Sequence, residues 1–185
     1  MVTHSSILLI EDSSGECELF RLALAQTGLG VVLYTEHDAD AALHFLQDRV
    51  SYHPNISFQY PSSELAGVGS IARVERGPSE AARSASKETM PAASPSLILL
   101  DLKLGRRDGC DFLKWLRADA RFAAIPVVVF TTSDDPTDLA RCYASGANGY
   151  VVKPGTFEQL VQCVGDIGQY WIHRNLTPYP LGVRC

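Results

Sequence analysis

The sequence predicts an α/β fold built on a doubly wound, five-stranded parallel sheet in the order 2-1-3-4-5, with helices on both faces. Two observations predict this fold. Five short apolar runs rich in Ile, Leu and Val recur along the 185 residues, and such runs are typical of strands covered on both faces. Segments with the apolar spacing of helices lie between these runs, so that strand and helix alternate five times.

The predicted strands lack the alternation of polar and apolar residues that marks a half-exposed sheet. They are SILLI (6–10), GVVLY (30–34), SLILL (96–100), IPVVVF (125–130) and GYVV (149–152). The predicted helices cover residues 14–27, 38–50, 110–118, 135–145 and 156–172. The fourth helix begins with DDP, a favourable helix start. The fifth places Phe157, Leu160 and Val164 on one apolar stripe.

One segment, at about 51–95, interrupts this pattern between the second helix and the third strand. It holds five of the ten prolines, nine serines and three glycines, and its four basic and four acidic residues cancel. We therefore expect one domain over residues 1–172, broken by a flexible insertion, and a short C-terminal tail at 173–185. Loop-closure entropy grows only slowly with loop length, so a domain can tolerate such an insertion. A binding role for the insertion is the alternative.

Composition excludes several classes of function. The formal net charge is −5, so an interaction with nucleic acid is not expected. The five cysteines are widely spaced, odd in number and without a CxxC pair, which favours reduced thiols in a cytoplasmic protein. The N-terminus lacks the basic region of a signal peptide, and no apolar run approaches the roughly 18 residues that cross a bilayer. We expect no membrane association.

Polar residues follow four of the predicted strands. Glu11 and Asp12 follow the first strand, Asp101 the third, Thr131 ends the fourth, and Lys153 follows the fifth. Because ligands of a parallel α/β sheet collect at the carboxyl ends of its strands, these side chains should converge on one edge.

This set of residues favours phosphoryl chemistry. Two carboxylates about 4 Å apart repel by about 4 kcal/mol at an effective dielectric of 20, so the cluster has to take up a proton or a cation. Hard oxygen ligands without Cys or His suit Mg²⁺ (or Mn²⁺). A carboxylate beside the cation can act as a nucleophile toward phosphorus, while Lys153 and Thr131 stabilise the transferred group. The predicted chemistry is formation and hydrolysis of an acyl phosphate on an aspartate.

Four segments in this order, LLIED, LILLDLKL with a following DG, VVVFTTS and GANGYVVKP, resemble the receiver domain of two-component response regulators. The resemblance covers roughly residues 5–172 apart from the insertion, and it implies the flavodoxin-like version of the predicted fold. It also implies that Asp101 is the phosphoacceptor and that a histidine kinase is the partner. Asp12 and Asp101 are then direct Mg²⁺ ligands, with Glu11 acting through water and the Lys103 backbone carbonyl completing the protein ligands.

The same resemblance implies a conformational switch. Thr131 is the switch hydroxyl, Lys153 binds the phosphoryl group, and Tyr150 is the switch aromatic residue. The peptide bond before Pro154 is expected to be cis. The face formed by the fourth helix, fifth strand and fifth helix should respond through protein contacts, and we expect a homodimer. The segment from 125 to 154 and the ending VGDIGQYWI most resemble regulators that partner phytochrome histidine kinases.

Two other functions remain open. The first is a degenerate receiver that acts as a phosphorylation-independent adaptor. The second is an aspartate-nucleophile phosphohydrolase, but such enzymes need a second acid two residues after the nucleophile, where this chain has Lys103. We therefore predict a signalling protein rather than an enzyme. Only 32 residues follow Lys153, which we expect to be too few for a DNA-binding domain.

Overall fold

The structure is a computed structural model that describes residues 5–50, 94–105 and 107–177. The insertion predicted at about 51–95 lies outside the described residues except for its last two positions. Residues 178–185 of the predicted tail also lie outside them. No helix in the described ranges is long and apolar enough to cross a membrane.

The described chain contains seven strands and five helices. The strands are β1 (Ser6–Ile10), β2 (Val32–Glu36), β3 (Leu97–Leu100), β4 (Lys103–Leu104), β5 (Arg107–Asp108), β6 (Val127–Thr131) and β7 (Gly149–Val152). The helices are α1 (Ser14–Thr27), α2 (Ala39–Val50), α3 (Gly109–Ala118), α4 (Pro136–Ala144) and α5 (Phe157–Gly168), the last continued by a π-helical segment, Gln169–Arg174.

The main sheet is parallel and has the order β2-β1-β3-β6-β7. Because β4 and β5 form a separate two-stranded antiparallel hairpin, β6 and β7 are the predicted fourth and fifth strands. The predicted order 2-1-3-4-5 and the doubly wound fold are therefore confirmed. The central strands β1, β3 and β6 are buried throughout, whereas the edge strands β2 and β7 are partly exposed.

Helices cover both faces of this sheet, as predicted. On one face, Ile7 and Leu9 of β1 pack in a cluster with Phe20 of α1 and residues of α5. On the other, Leu8 and Ile10 of the same strand pack in a cluster with residues of α2 and α3. Alternate residues of one buried strand thus supply two cores, and each such side chain contributes about 1.5–3 kcal/mol on burial.

Several element bounds differ from the prediction. The second strand begins at Val32 rather than residue 30, because Gly28 ends α1 in the left-handed region (φ +70°). A tight turn follows, in which the Val31 amide donates to the Leu29 carbonyl at 2.6 Å. The β4–β5 hairpin was not predicted, since strands of two residues carry no periodic signal. The last helix changes to π-helical geometry after Gly168 and extends to Arg174.

Candidate functional site

The parallel register brings the polar strand ends together. Leu100 pairs with Ile10, and the Asp101 amide donates to the Ile10 carbonyl at 3.0 Å, so that Glu11 and Asp101 leave the sheet side by side. At the neighbouring strands, the Lys153 amide donates to the Thr131 carbonyl at 2.7 Å. Glu11, Asp101, Thr131 and Lys153 therefore lie at the carboxyl edge of the main sheet, whereas Tyr150 lies within β7.

Three carboxylates form a cluster at this edge. Glu11, Asp12 and Asp101 each offer an oxygen within 4.8 Å of the others. Glu11 is 2% exposed and Asp101 7% exposed, while Asp12 is exposed. The Asp101 Oδ1 atom accepts a hydrogen bond from the Leu102 amide at 2.7 Å, which orients its carboxylate. Hard oxygen atoms at this spacing fit a small divalent cation.

Lys153 reaches into the cluster from the end of β7. Its Nζ atom lies 2.5 Å from Glu11 Oε2 and 3.5 Å from Asp101 Oδ2, and it also donates a hydrogen bond to Glu16. Burial lowers the pKa of Lys153, but the hydrogen bonds to Glu11 and Glu16 outweigh that effect and raise it overall. The ammonium is therefore charged at neutral pH. Burial raises the pKa of Glu11, and the hydrogen bond from Lys153 opposes the rise.

Glu16 is a residue of the site that the sequence analysis missed. It lies in the first turn of α1 with its side chain 41% exposed. With Ser13 it forms the pattern S-x-x-E, which normally predicts a capping box, in which the glutamate bonds back to the N-cap amide. Only half of that box is present. The Glu16 amide donates to Ser13 Oγ at 3.3 Å, but the Ser13 amide donates to Glu11 Oε1 at 3.0 Å. The Glu16 carboxylate is consequently available to Lys153.

Two glycines that follow Asp101 have structural roles. Gly105 adopts a left-handed conformation (φ +58°), and its amide donates to Asp12 Oδ2 at 3.1 Å, so it helps to orient a predicted metal ligand. A Cβ atom at Gly109 would lie 2.3 Å from the Asp101 carbonyl oxygen. Lys103 lies in β4 with its side chain exposed, and the role of its carbonyl stays a prediction.

The two predicted switch residues both contact the loop between β6 and α4. Thr131 is fully buried, and its Oγ1 atom accepts a hydrogen bond from the Ser133 amide at 3.4 Å. The half-buried Tyr150 donates from its hydroxyl to the Ser133 carbonyl at 3.0 Å. Burial raises the pKa of Tyr150. In this structure both predicted switch residues are thus hydrogen-bonded to the backbone of Ser133.

The expected cis bond before Pro154 is wrong, since every described peptide bond is trans. The trans form is favoured by about 0.5–1 kcal/mol for a bond before proline. Lys153 reaches Glu11 and approaches Asp101 without a cis bond, so the inward direction of its side chain does not depend on one.

Comparison with known protein families matches residues 70–165, just over half of the chain, to the response regulator receiver domain. The chain belongs to this family. The predicted resemblance, which depended on the segments around Glu11, Asp101, Thr131 and Lys153, is thereby confirmed.

Individual relatives agree with this assignment. The response regulator Rcp1 of Synechocystis is 27% identical over 172 residues, which cover 93% of this chain and 92% of that protein. A probable methanogenesis regulatory protein of Methanothrix harundinacea, FilR2, is 43% identical over 86 residues, but the match covers only 56% of its length.

Solved structures extend the similarity to phytochrome response regulators. The phosphorylated cyanobacterial phytochrome response regulator RcpA is 26% identical, with a TM-score of 0.67 over 95% of this chain and 99% of that one. The Mn²⁺-bound form of Rcp1 has a TM-score of 0.65 at 26% identity over the same shares. The bacteriophytochrome response regulator AtBRR is 29% identical, with a TM-score of 0.58 over 94% of this chain and 99% of that one. The predicted similarity to phytochrome-associated regulators is confirmed.

Proposed function

We propose that this receiver domain accepts a phosphoryl group from a histidine kinase on Asp101, in a reaction that requires Mg²⁺ or Mn²⁺. The observation that carries the proposal is the meeting of Asp101 with two further carboxylates and Lys153 at one edge of the sheet. Asp12 and Asp101 would bind the cation directly, Glu11 through water and Lys103 through its backbone carbonyl. The similarity to Rcp1, which has been solved in an Mn²⁺-bound form, supports a divalent cation as cofactor.

The side chains of this edge suit phosphoryl transfer. An Asp101 carboxylate oxygen attacks phosphorus, a P–O bond forms, and the P–N bond to the kinase histidine breaks. The amide of Leu102 holds Asp101 Oδ1, while Oδ2 faces the Lys153 ammonium at 3.5 Å. Lys153 can therefore neutralise charge on the transferred group with a short movement. A bound divalent cation would supply further charge stabilisation and screen the repulsion among the carboxylates.

The response would pass through Ser133, which both switch residues contact. If the Thr131 hydroxyl turns toward the phosphoryl oxygens, its bond with the Ser133 amide is lost and the loop before α4 changes. Tyr150, bonded to the carbonyl of the same residue, would couple this change to the face formed by α4, β7 and α5. Phosphorylation shifts the population between two such packings.

Exposed apolar side chains lie on this face. Leu139 and Tyr143 of α4 and Val152 of β7 are between 43% and 50% exposed. We propose that this α4–β7–α5 face forms the homodimer or meets a downstream protein. The similarity to RcpA and AtBRR supports a phytochrome-type histidine kinase as the phosphoryl donor.

The proposal is tested by incubating the full chain with acetyl phosphate and Mg²⁺ and resolving the phosphorylated form on a phosphate-binding gel. We expect one phosphorylated species, which EDTA prevents and Asp101→Asn abolishes. The matched control is Asp111→Asn, because Asp111 is an exposed aspartate paired with Lys114. Unchanged labelling of the Asp101→Asn variant, or labelling without any divalent cation, would contradict the proposal.

The same preparations distinguish the alternatives. A chain that takes no phosphate, and whose Asp101→Asn variant binds its partners as the parent does, would be a phosphorylation-independent adaptor. Steady turnover of p-nitrophenyl phosphate would indicate a phosphohydrolase. We expect no turnover, because the residue two positions after Asp101 is the exposed Lys103 and not the second acid that such enzymes need.

The choice of kinase has its own experiment. Labelled phytochrome-type and other histidine kinases are presented to the chain, and transfer to Asp101 is measured. We expect faster transfer from the phytochrome type. Equal rates from all kinases would refute the phytochrome partnership, while the acetyl phosphate result would still report on the acceptor itself.

A further inference from the structure

Two cysteines on neighbouring helices face each other inside the protein, away from the acidic cluster. Cys110 lies in the first turn of α3 and Cys142 near the end of α4. Their Sγ atoms are 3.0 Å apart, and the residues are 1% and 0% exposed. They belong to a small cluster with Leu102 and Val129, against which Tyr150 packs. A disulfide bond of about 2.05 Å would need the sulfur atoms to approach by only about 1 Å.

Cys142 is also the residue through which α4 enters the protein interior. Of the nine residues of this fully described helix, Cys142 alone is buried. At the surface, Arg141 forms an ion pair with Asp108, the N-cap residue of α3. A short helix with one buried side chain belongs to the least stable class of elements and opens locally. Such opening is how a small oxidant would reach the two thiols.

We propose that Cys110 and Cys142 form a modification site, at which a peroxide creates an intramolecular disulfide that pins α4 to α3. The Cys110 sulfur attacks one peroxide oxygen, the O–O bond breaks, and the displaced hydroxide leaves as water with the thiol proton. The Cys142 sulfur then attacks the resulting sulfenic acid. An S–S bond forms, the S–O bond breaks, and a second water leaves with the remaining thiol proton. Two electrons pass from the two thiols to the peroxide.

The surroundings determine which sulfur reacts first. Burial raises the pKa of the Cys110 thiol, but the neighbouring Cys142 thiol and the Arg141 guanidinium oppose this effect. Burial, together with the contact with Cys110, raises the pKa of Cys142 to about 12. Cys110 also lies at a helix N-terminus, which favours a thiolate. Cys110 is therefore the attacking thiol, and Cys142 resolves the sulfenic acid.

The disulfide would act on the response because α4 follows directly on the loop that contains Ser133. A helix fixed to α3 restricts this loop and the α4–β7–α5 face, so the oxidised protein should respond less to phosphorylation. This consequence rests on the proposed function, whereas the disulfide and the pinning of α4 do not.

The test exposes the native full chain to hydrogen peroxide and maps the cysteine linkages by peptide mass spectrometry. We expect a peptide pair joined through Cys110 and Cys142, reversed by dithiothreitol. Cys142→Ala should abolish it, and Cys163→Ala should retain it, because Cys163 lies in α5, outside the cluster. Hydrogen exchange of the α4 amides should slow by about tenfold in the oxidised chain.

Two results would overturn the proposal. One is that the linked peptide pair does not form in the native parent chain or in the native Cys163→Ala variant. Formation of the pair only after unfolding in urea would count as the same result. The other is a linked pair that leaves exchange in α4 unchanged. Acetyl phosphate labelling is then compared for the reduced and oxidised chains. If neither the reduced nor the oxidised chain accepts phosphate, that result would count against the proposed function. The linkage and exchange results would still test the disulfide independently.

Discussion

Replacing Glu16 with Gln tests whether this residue holds Lys153 away from the phosphoacceptor. Lys153 donates to Glu16 and Glu11 and is 3.5 Å from Asp101 Oδ2. To contact a phosphoryl group on Asp101, the ammonium has to give up at least one of the glutamate partners. The contact with Glu16 costs less to break than the contact with Glu11, because the Glu16 side chain is 41% exposed and water can replace the ammonium.

The magnitude follows from that exposure. An ion pair with one partner in partial contact with solvent is worth about 0.5–1 kcal/mol, and 1.4 kcal/mol corresponds to a factor of ten in an equilibrium constant. If Lys153 must leave Glu16 before transfer, Glu16→Gln should speed phosphorylation by about two- to fivefold. The variant also removes one of the three carboxylates that surround the ammonium, so Mg²⁺ binding should weaken.

The assay measures the rate of labelling by acetyl phosphate across a Mg²⁺ titration, so that affinity for the cation and the rate at saturation are separated. The matched control is Glu18→Gln, the same change on the same helix, where the glutamate pairs with the exposed Arg21. We expect a faster saturating rate for Glu16→Gln alone. An unchanged or slower saturating rate, or the same increase in the control, would refute the reasoning.

Three further predictions concern the structure around the site. Gly109→Ala should destabilise the protein by more than about 2 kcal/mol in urea unfolding, because its Cβ would meet the acceptor's carbonyl oxygen at 2.3 Å. Gly155→Ala, with open space at its Cβ, should change stability little, and equal losses would contradict this packing. Ser133→Ala should raise the pKa of Asp138 in an NMR titration. The Ser133 hydroxyl lowers that pKa in the parent chain. The stabilisation from this bond is therefore present above pH 3.8 and is lost as the pH falls through the lowered pKa of Asp138. An Asp138 pKa that is the same in the variant and the parent would contradict the assignment. Tyr150→Phe removes the bond to the Ser133 carbonyl and should speed hydrogen exchange in the loop before α4, whereas unchanged exchange would show that the hydroxyl does not hold this loop.

The fold and most of the site could be predicted because both depend on simple regularities. Continuous apolar runs mark buried parallel strands, and parallel strands bring their carboxyl ends to one edge. That rule alone places Glu11, Asp101 and Lys153 together, although 142 residues separate Glu11 from Lys153. No local propensity is needed for this result, only the order of the strands.

The features that were missed depend on side-chain competition or on contacts across elements. Glu16 has the spacing of an ordinary helix cap, and its contact with Lys153 arises only because Glu11 takes its place at the Ser13 amide. The pairing of Cys110 with Cys142 depends on how α3 and α4 pack, which periodicity does not determine. The second strand starts later than predicted because a left-handed glycine and a tight turn precede it. The turn includes residues whose sequence resembles that of a strand.

The incomplete capping box has a consequence for any attempt to dissect this edge by mutation. One oxygen of Glu11 accepts a hydrogen bond from the N-cap amide of α1 and the other binds the ammonium, so truncation of this side chain would disturb folding and phosphoryl chemistry together. Glu11→Gln retains an acceptor for the Ser13 amide while removing the charge. Comparing it with Glu11→Ala separates the effect of this side chain on the start of α1 from its effect on phosphoryl chemistry.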